Sequence, residues 1–364
     1  MAELNPVEVR KKCKKFLSGH HPKTQRQWLE DLAASPLAEE GRDAYSNGPN
    51  IEKLEKEVAE LLGKEAGLWV PKGITAQQMA LLVYADRARC RNVALHPKSH
   101  IELDESDAYE KLSGLKGILV GKDHLPFTVA DLDKVTEPLA AVAVELPLRR
   151  PGYKLPSWED LTGISEWCKG HGVPLHFDGA RLWEAAPYYD RSLAEIAGLA
   201  DSVYVSFYKG LGGLTGCILA GPADFINETK VWRNRFGGNL FTAFPYIISA
   251  IEGMHHHLPK MAGYYQQAVQ IAAELAEIPG LIINPNPPNC NSFQVLLPAE
   301  IKTLQQANLE YADREEKWLF GYFDETGIPG LSMGEVVVGE AAADWTTTEI
   351  VDAFKALLAL SKES

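Results

Sequence analysis

Apolar residues recur at helical spacing between Asn50 and Gly63: Ile51, Leu54, Val58, Leu61 and Leu62 share one face, and Gly63 can stop the helix. Gly67-Leu68-Trp69-Val70 then reads as a short strand ending at Pro71, and a second helix is expected from Ala76 to Tyr84. Later apolar runs have strand lengths: Gly117–Val120, Ala140–Val144, Pro174–Phe177, Ser202–Val205 and Cys217–Ala220. Helical patterns lie between several of them, as in Trp158–Cys168 and Leu193–Leu199. Strands alternating with helices predict an α/β domain on a mostly parallel sheet.

The pattern changes after about residue 245. A long helical stretch, Ala243–Ile278, leads into Gly280–Ile283, the strand-like run Ser292–Leu297, a helix over Ile301–Tyr311 and the apolar run Trp318–Phe323. A closing helix is expected over Thr348–Leu360. This reads as a smaller α+β domain. The expected organisation is an N-terminal arm over 1–45, a large α/β domain over 46–245 and a small C-terminal domain over 246–364.

Composition narrows the classes. With 46% hydrophobic and 23% charged residues, the 364-residue chain has the balance of a globular protein. Its formal charge of -13 argues against phosphate-backbone binding, so no nucleic-acid partner is expected. The one basic run, Lys11-Lys12-Cys13-Lys14-Lys15, reads as a solvated helix face. Five scattered cysteines with no Cys-x-x-Cys pair suggest neither zinc nor a disulfide framework and fit a reducing compartment. No apolar run is long enough to span a bilayer, and the N-terminus lacks a signal-peptide pattern. The expectation is a soluble, cytoplasmic protein with no membrane partner. His255-His256-His257 falls in an expected helix, where metal pairs prefer i, i+4 spacing, so no metal site is predicted.

Candidate chemistry sits at two strand ends. Pro174-Leu175-His176-Phe177-Asp178 runs straight into Gly179-Ala180-Arg181. Period-two alternation puts His176 and Asp178 on one side. A buried acid at the carboxyl end of a parallel strand is costly without a cationic partner, and ligands of open α/β sheets bind at such ends. A pyridinium nitrogen is a partner of that kind, and small Ala180 would let an aromatic ring lie flat. The alternative is Asp178 as N-cap of the next helix. The next strand ends at Lys209, followed by Gly210-Leu211-Gly212-Gly213. A lysine at the mouth of a buried strand should have a lowered pKa, and imine formation needs the neutral amine. Lys209-Gly210 does not complete a P-loop.

The ordered pair of motifs, Leu175-His176-Phe177-Asp178-Gly179-Ala180-Arg181-Leu182 and then Lys209-Gly210-Leu211-Gly212, resembles the threonine aldolase and β-eliminating lyase family of fold-type-I enzymes dependent on pyridoxal 5'-phosphate (PLP). Leu62–Ala66 and Pro71–Ala76 are similar to the family's early segment. The resemblance implies that 46–245 is the PLP-binding domain, that Lys209 carries the cofactor as a Schiff base and that Asp178 pairs with its pyridine nitrogen. It puts Ala180 and Ser206 beside the cofactor and Arg181 near its hydroxyl and the substrate carboxylate. Gly73, Ile74 and Thr75 would cradle the phosphate at a helix N-terminus. His100 would stack on the ring and serve as the candidate base.

Several positions depart from the family. Tyr208 replaces a serine before the lysine, and Ile74 replaces a threonine, although Thr75 follows. Gly237–Thr242 lacks a basic residue that Arg233 or Arg235 could supply. Glu335 stands where the family has a carboxylate-binding arginine, which suggests a substrate with an added cationic or polar group. Alternatively the carboxylate is held by Arg181 with Arg149 or Arg150. His20 or His21 falls where the family's N-terminal arm nears the site. The implied activity is aldol cleavage of a β-hydroxy-α-amino acid to glycine and an aldehyde. β-Elimination, amino transfer, racemisation and a non-catalytic relative remain open. The family also implies a homodimer or homotetramer.

Overall fold

In the computed structural model, which describes residues 4–363, the alternating pattern becomes a seven-stranded sheet. Strand β1 (Lys15–Phe16) lies in a smaller unit. Strands β2 (Ala66–Val70), β3 (Asn92–Leu95), β4 (Lys116–Leu119), β5 (Ala141–Glu145), β6 (Leu175–Gly179), β7 (Ser202–Ser206) and β8 (Cys217–Gly221) build the main sheet. Their order is β2-β8-β7-β6-β5-β3-β4, with β8 alone antiparallel to its neighbours. The mostly parallel α/β architecture is therefore as expected. Strands β6, β7 and β8 are buried at every position, as central strands covered on both faces must be. Helix Gly73–Ala88 packs Ala76, Met79, Ala80 and Val83 into a core with Val70, Leu95 and Leu219. Strand β3 was not anticipated, because only Val93, Ala94 and Leu95 are apolar in it.

The chain divides into two compact units at places other than 45 and 245. One runs from Lys23 to Pro259; the other joins the described residues up to Pro22 with those from Lys260 on. The long helical stretch breaks into Phe244–His257, a 3-10 turn at Leu258–Lys260 and Met261–Ala276. Pro259 lacks an N–H and closes the first helix there. The N-terminal residues join the small unit because β1 pairs in parallel with β11 (Lys317–Trp318) and Val9, Cys13 and Phe16 pack on Ala312 and Ala341. The small unit also holds an antiparallel sheet of β9 (Ile282–Asn284), β10 (Ser292–Leu297), β12 (Asp324–Glu325) and β13 (Ser332–Val337). Beyond Trp318 the apolar run is not a strand. The Asn308 amide donates to the Phe320 carbonyl and accepts its N–H, replacing a ladder.

The basic run is neutralised inside the small unit: Lys12 pairs with Asp313 (3.0 Å), Lys14 with Glu316 and Lys15 with Glu349 (2.8 Å). No disulfide joins the cysteines, and among the described residues no helix is long and apolar enough to cross a membrane.

Candidate active site

Three parallel strands end side by side in the large unit. Register pairs Glu145 of β5 with Asp178 of β6, and Asp178 with Tyr204 of β7, so the three side chains form a row at the carboxyl edge. All three line one cleft with Ala180, Tyr208 and Lys209. The start of helix Gly73–Ala88 adds Lys72, Gly73, Ile74 and Gln77, and the segment from helix His100–Leu103 adds His100, Asp104 and Glu105. Of the expected residues, the cleft gathers Lys209, Asp178, Ala180, His100, Gly73 and Ile74.

Electrostatics differ from residue to residue. Burial, and next the Arg181 charge, push the half-buried Lys209 amine down to about 8. No hydrogen bond or ion pair reaches Lys209 Nζ among the described residues. Asp178 is only 2% exposed; its Oδ1 accepts from the Ala180 N–H at 3.2 Å. It does not cap the next helix, whose N-cap is Arg181 with no side-chain bond, so that alternative falls away. Beside it, burial and then the Asp178 charge push Glu145 up to about 7, although Glu145 accepts the His100 N–H (2.7 Å) and the Arg149 N–H (3.2 Å). Burial works against a charged His100 ring, but the 3.1 Å bond to Glu105 and the Asp178 charge outweigh it, so its pKa is raised. Glu105, itself buried, is raised by burial.

A buried polar chain backs the cleft. Tyr84 donates to Ser202 Oγ (2.7 Å), Ser202 lies 2.8 Å from His176 Nδ1, and His176 Nε2 lies 2.6 Å from Gln77 Oε1. Burial pushes His176 down to about 3, so the ring is neutral, with one donor and one acceptor. Read from the tyrosine inward, the polarity makes Ser202 donate to Nδ1 and Nε2–H donate to the Gln77 carbonyl oxygen. Gln77 Nε2 is then a buried donor with no partner among the described residues.

The remaining expected residues lie elsewhere. Ser206 donates to the Ala180 carbonyl (2.7 Å) and is not on the cleft. Arg181 stacks over the Tyr153 ring (5.2 Å), and Arg149 Nε donates to the Tyr153 hydroxyl (3.3 Å), so one tyrosine holds both arginines. Arg150 bonds Asp104 (3.1 Å from Nε). Arg233 donates to the Trp69 carbonyl (2.9 Å), and Arg235 stacks on Trp232. His255 pairs with Glu57. Glu335 belongs to the small unit, where Tyr322 donates to it; His20 accepts the Glu340 N–H there, and His21 lies 3.8 Å from Asp344.

A family model described as β-eliminating lyase matches residues 32–296. The chain belongs to this family. The low-specificity L-threonine aldolase 1 of Arabidopsis thaliana is 28% identical over 268 residues, covering 68% of this chain and 72% of the relative. A Listeria monocytogenes structure provisionally named an L-allo-threonine aldolase superposes with TM-score 0.91 at 36% identity, covering 98% of each chain. An Exiguobacterium structure, provisionally named an aromatic amino acid β-eliminating lyase/threonine aldolase, gives TM-score 0.92 at 33% identity, covering 98% of this chain and all of that one (100%). The fold is that of the fold-type-I PLP enzymes, within the β-eliminating lyase family.

The residues fit the cofactor of that fold. An unpartnered buried donor, Gln77 Nε2, stands near the start of a 16-residue helix that no side chain caps. The first intrahelical N–H bond is Ala76 to Lys72, which leaves the N–H groups of Gly73, Ile74 and Thr75 for an anion. Gly73 is required here, since a Cβ would sit 2.1 Å from the Tyr204 hydroxyl oxygen. Asp178, buried and without an ion pair among the described residues, suits a protonated ring nitrogen.

Sequence reasoning missed Glu145, Glu105, Gln77 and Tyr204. The rule that flagged Asp178 would have found Glu145, because it too ends a buried parallel strand. Gln77 is one turn beyond Gly73, but its partner His176 lies 99 residues away, which no local pattern signals.

Proposed function

We propose that this chain is a PLP-dependent carbon–carbon lyase that cleaves a β-hydroxy-α-amino acid to glycine and an aldehyde. The observation that carries the reading is Lys209: its amine is pushed down to about 8 and stands one strand from a buried Asp178. The threonine aldolase names of its relatives supply the reaction. When bound, PLP supplies an electron sink for charge that develops at the substrate α-carbon.

The chain's own residues do the rest. Lys209 offers the neutral amine for covalent attachment. Asp178 holds a proton on the pyridine nitrogen, and Ala180 leaves room for a flat ring. Gly73, Ile74 and Thr75 donate N–H bonds to the phosphate, with the Gln77 amide as a further donor. His100, poised by Glu105, takes the proton from the substrate β-hydroxyl. Arg181, with Arg149 held by the same tyrosine, attracts the substrate carboxylate. The test is aldehyde release by the PLP-loaded protein from L-threonine, L-allo-threonine and bulkier β-hydroxy amino acids. Pyruvate and ammonia from serine, with no aldehyde from any of them, would replace the aldolase reading with β-elimination.

Two consequences follow for single residues. His100 acts as a base only when neutral, and its raised pKa costs activity as pH falls through it. Glu105→Gln removes the carboxylate that holds the ring's proton, so the acid limb of the kcat/KM profile should move to lower pH. An unmoved limb would exclude His100 as the base. Gln77→Leu should weaken PLP binding to the apoprotein. One hydrogen bond to a charged group is worth about 1.5–3 kcal/mol, so Kd should rise roughly 10- to 150-fold by equilibrium dialysis.

The homo-oligomer implied by the family is proposed on an exposed aromatic edge. Tyr45 packs edge-on against Phe241 at 5.2 Å, and Phe244 and Tyr246 are exposed nearby in sequence. A cytoplasmic location is proposed on cysteines that form no disulfide.

A further inference from the structure

Glu184 stands outside the cleft yet beside its central lysine. It lies in the first turn of helix Leu182–Tyr189 and is 1% exposed. Its Oε1 accepts the N–H of Gly210, the residue after Lys209, at 3.0 Å. Its Oε2 is buried with no hydrogen-bond partner among the described residues. A Cβ on Gly210 would lie 2.2 Å from Oε1, so only glycine lets the turn come this close. A buried carboxyl with one bare oxygen is an expensive feature unless nearby charge makes use of it. The charge is present: burial raises the pKa of Glu184, and Arg181, its own backbone N–H and then Lys209 offset part of that rise. The helix start adds a further preference for an anion.

We propose that Glu184 is a positioning residue for Lys209. It clamps the Lys209–Gly210 turn through the Gly210 N–H and supplies negative charge that keeps a proton on the Lys209 nitrogen once that nitrogen carries the cofactor. The groups acting on Lys209 are Arg181, which disfavours the proton, and Asp178, Glu145 and Glu184, which favour it. Asp178 and Glu145 line the cleft, whereas Glu184 is not on it and reaches the turn through the Gly210 N–H. Glu184 is thus the acid acting on Lys209 that does not line the cleft, so a bound ligand leaves its charge to the lysine.

This inference rests on Lys209 being the cofactor-bearing residue, and the experiment separates the two. Holoenzyme and its Glu184→Gln variant are titrated with pH while the visible absorption of the bound cofactor is followed. Borohydride trapping and peptide mass spectrometry locate the attached PLP. Glutamine keeps an acceptor for the Gly210 N–H and removes only the charge. The absorption midpoint should fall by about one pH unit, with PLP still trapped on Lys209. A midpoint equal to that of the parent protein overturns the proposal and leaves Glu184 as an anchor for the turn. If the glutamine variant does not fold, Glu184→Asp, which withdraws the charge by one methylene, must lower the midpoint, and an unchanged value overturns the proposal equally. No trapping on Lys209 in the parent protein would overturn the cofactor assignment itself and this inference with it.

Discussion

Lys209→Ala should abolish aldehyde release and change the absorption of PLP-loaded protein to that of the free aldehyde, while PLP still binds non-covalently. With the amine pushed down to about 8, roughly a tenth of the lysines are neutral at pH 7, against fewer than about one in a thousand for an ordinary lysine. That difference is what burial and Arg181 contribute to the nucleophile, and alanine removes it outright. The helix N-terminus at Gly73 and the buried Asp178 are untouched by the change, so reversible affinity for PLP should survive. Lys209→Arg is the control that retains a cation but offers no neutral amine. Borohydride trapping followed by peptide mass spectrometry should place the label on Lys209 in the parent and nowhere in either variant. The other lysine on the cleft, Lys72, is exposed. A label on Lys72, or full activity in Lys209→Ala, would sink the assignment.

Why Lys209 and Asp178 were legible while their supports were not has a physical reason. Strands β5 to β8 bury every or nearly every position, so they read as unbroken apolar runs, and a charged residue ending such a run stands out. Glu145 ends β5 in the same way, but one register position from Asp178 matters only once the strands are known to be neighbours. Glu184 carried a signal of its own, an acid among Leu182, Trp183 and Ala185 in a buried helix, all at 1% exposure or less. Its use, however, depends on Gly210, 26 residues on. Gln77 owes its role to His176, 99 residues away, and Glu105 to a bond with His100 at i, i+5 that no regular helix or strand spacing signals. The break at Pro259 was readable from the residue alone. The attachment of the N-terminal residues to the small unit was not, because it depends on the two-residue pairing of β1 with β11, too short to carry a pattern.

Asp178→Asn should leave the fold and PLP attachment intact and lower kcat by about 10²–10³-fold, the usual loss when one preorganised electrostatic partner is removed. Asparagine is close in shape, and its Oδ1 can still accept the Ala180 N–H that Asp178 accepts at 3.2 Å. What it cannot supply is a negative charge opposite the pyridine nitrogen, so a proton there is no longer held. The neighbouring acid does not substitute for it. Glu145 is pushed up to about 7 by burial and then by the Asp178 charge, so near neutral pH it is only partly ionised. Removing the Asp178 charge should let Glu145 ionise at lower pH, but its two oxygens are already engaged by the His100 and Arg149 N–H groups. The measurement is single-turnover cleavage of a β-hydroxy amino acid by the parent and Asn variants at equal PLP occupancy. A loss of less than about tenfold, below the range expected for such a partner, would remove Asp178 from the pyridine nitrogen. A loss confined to PLP affinity, with kcat preserved, would instead make it a binding residue with no part in holding the ring's proton.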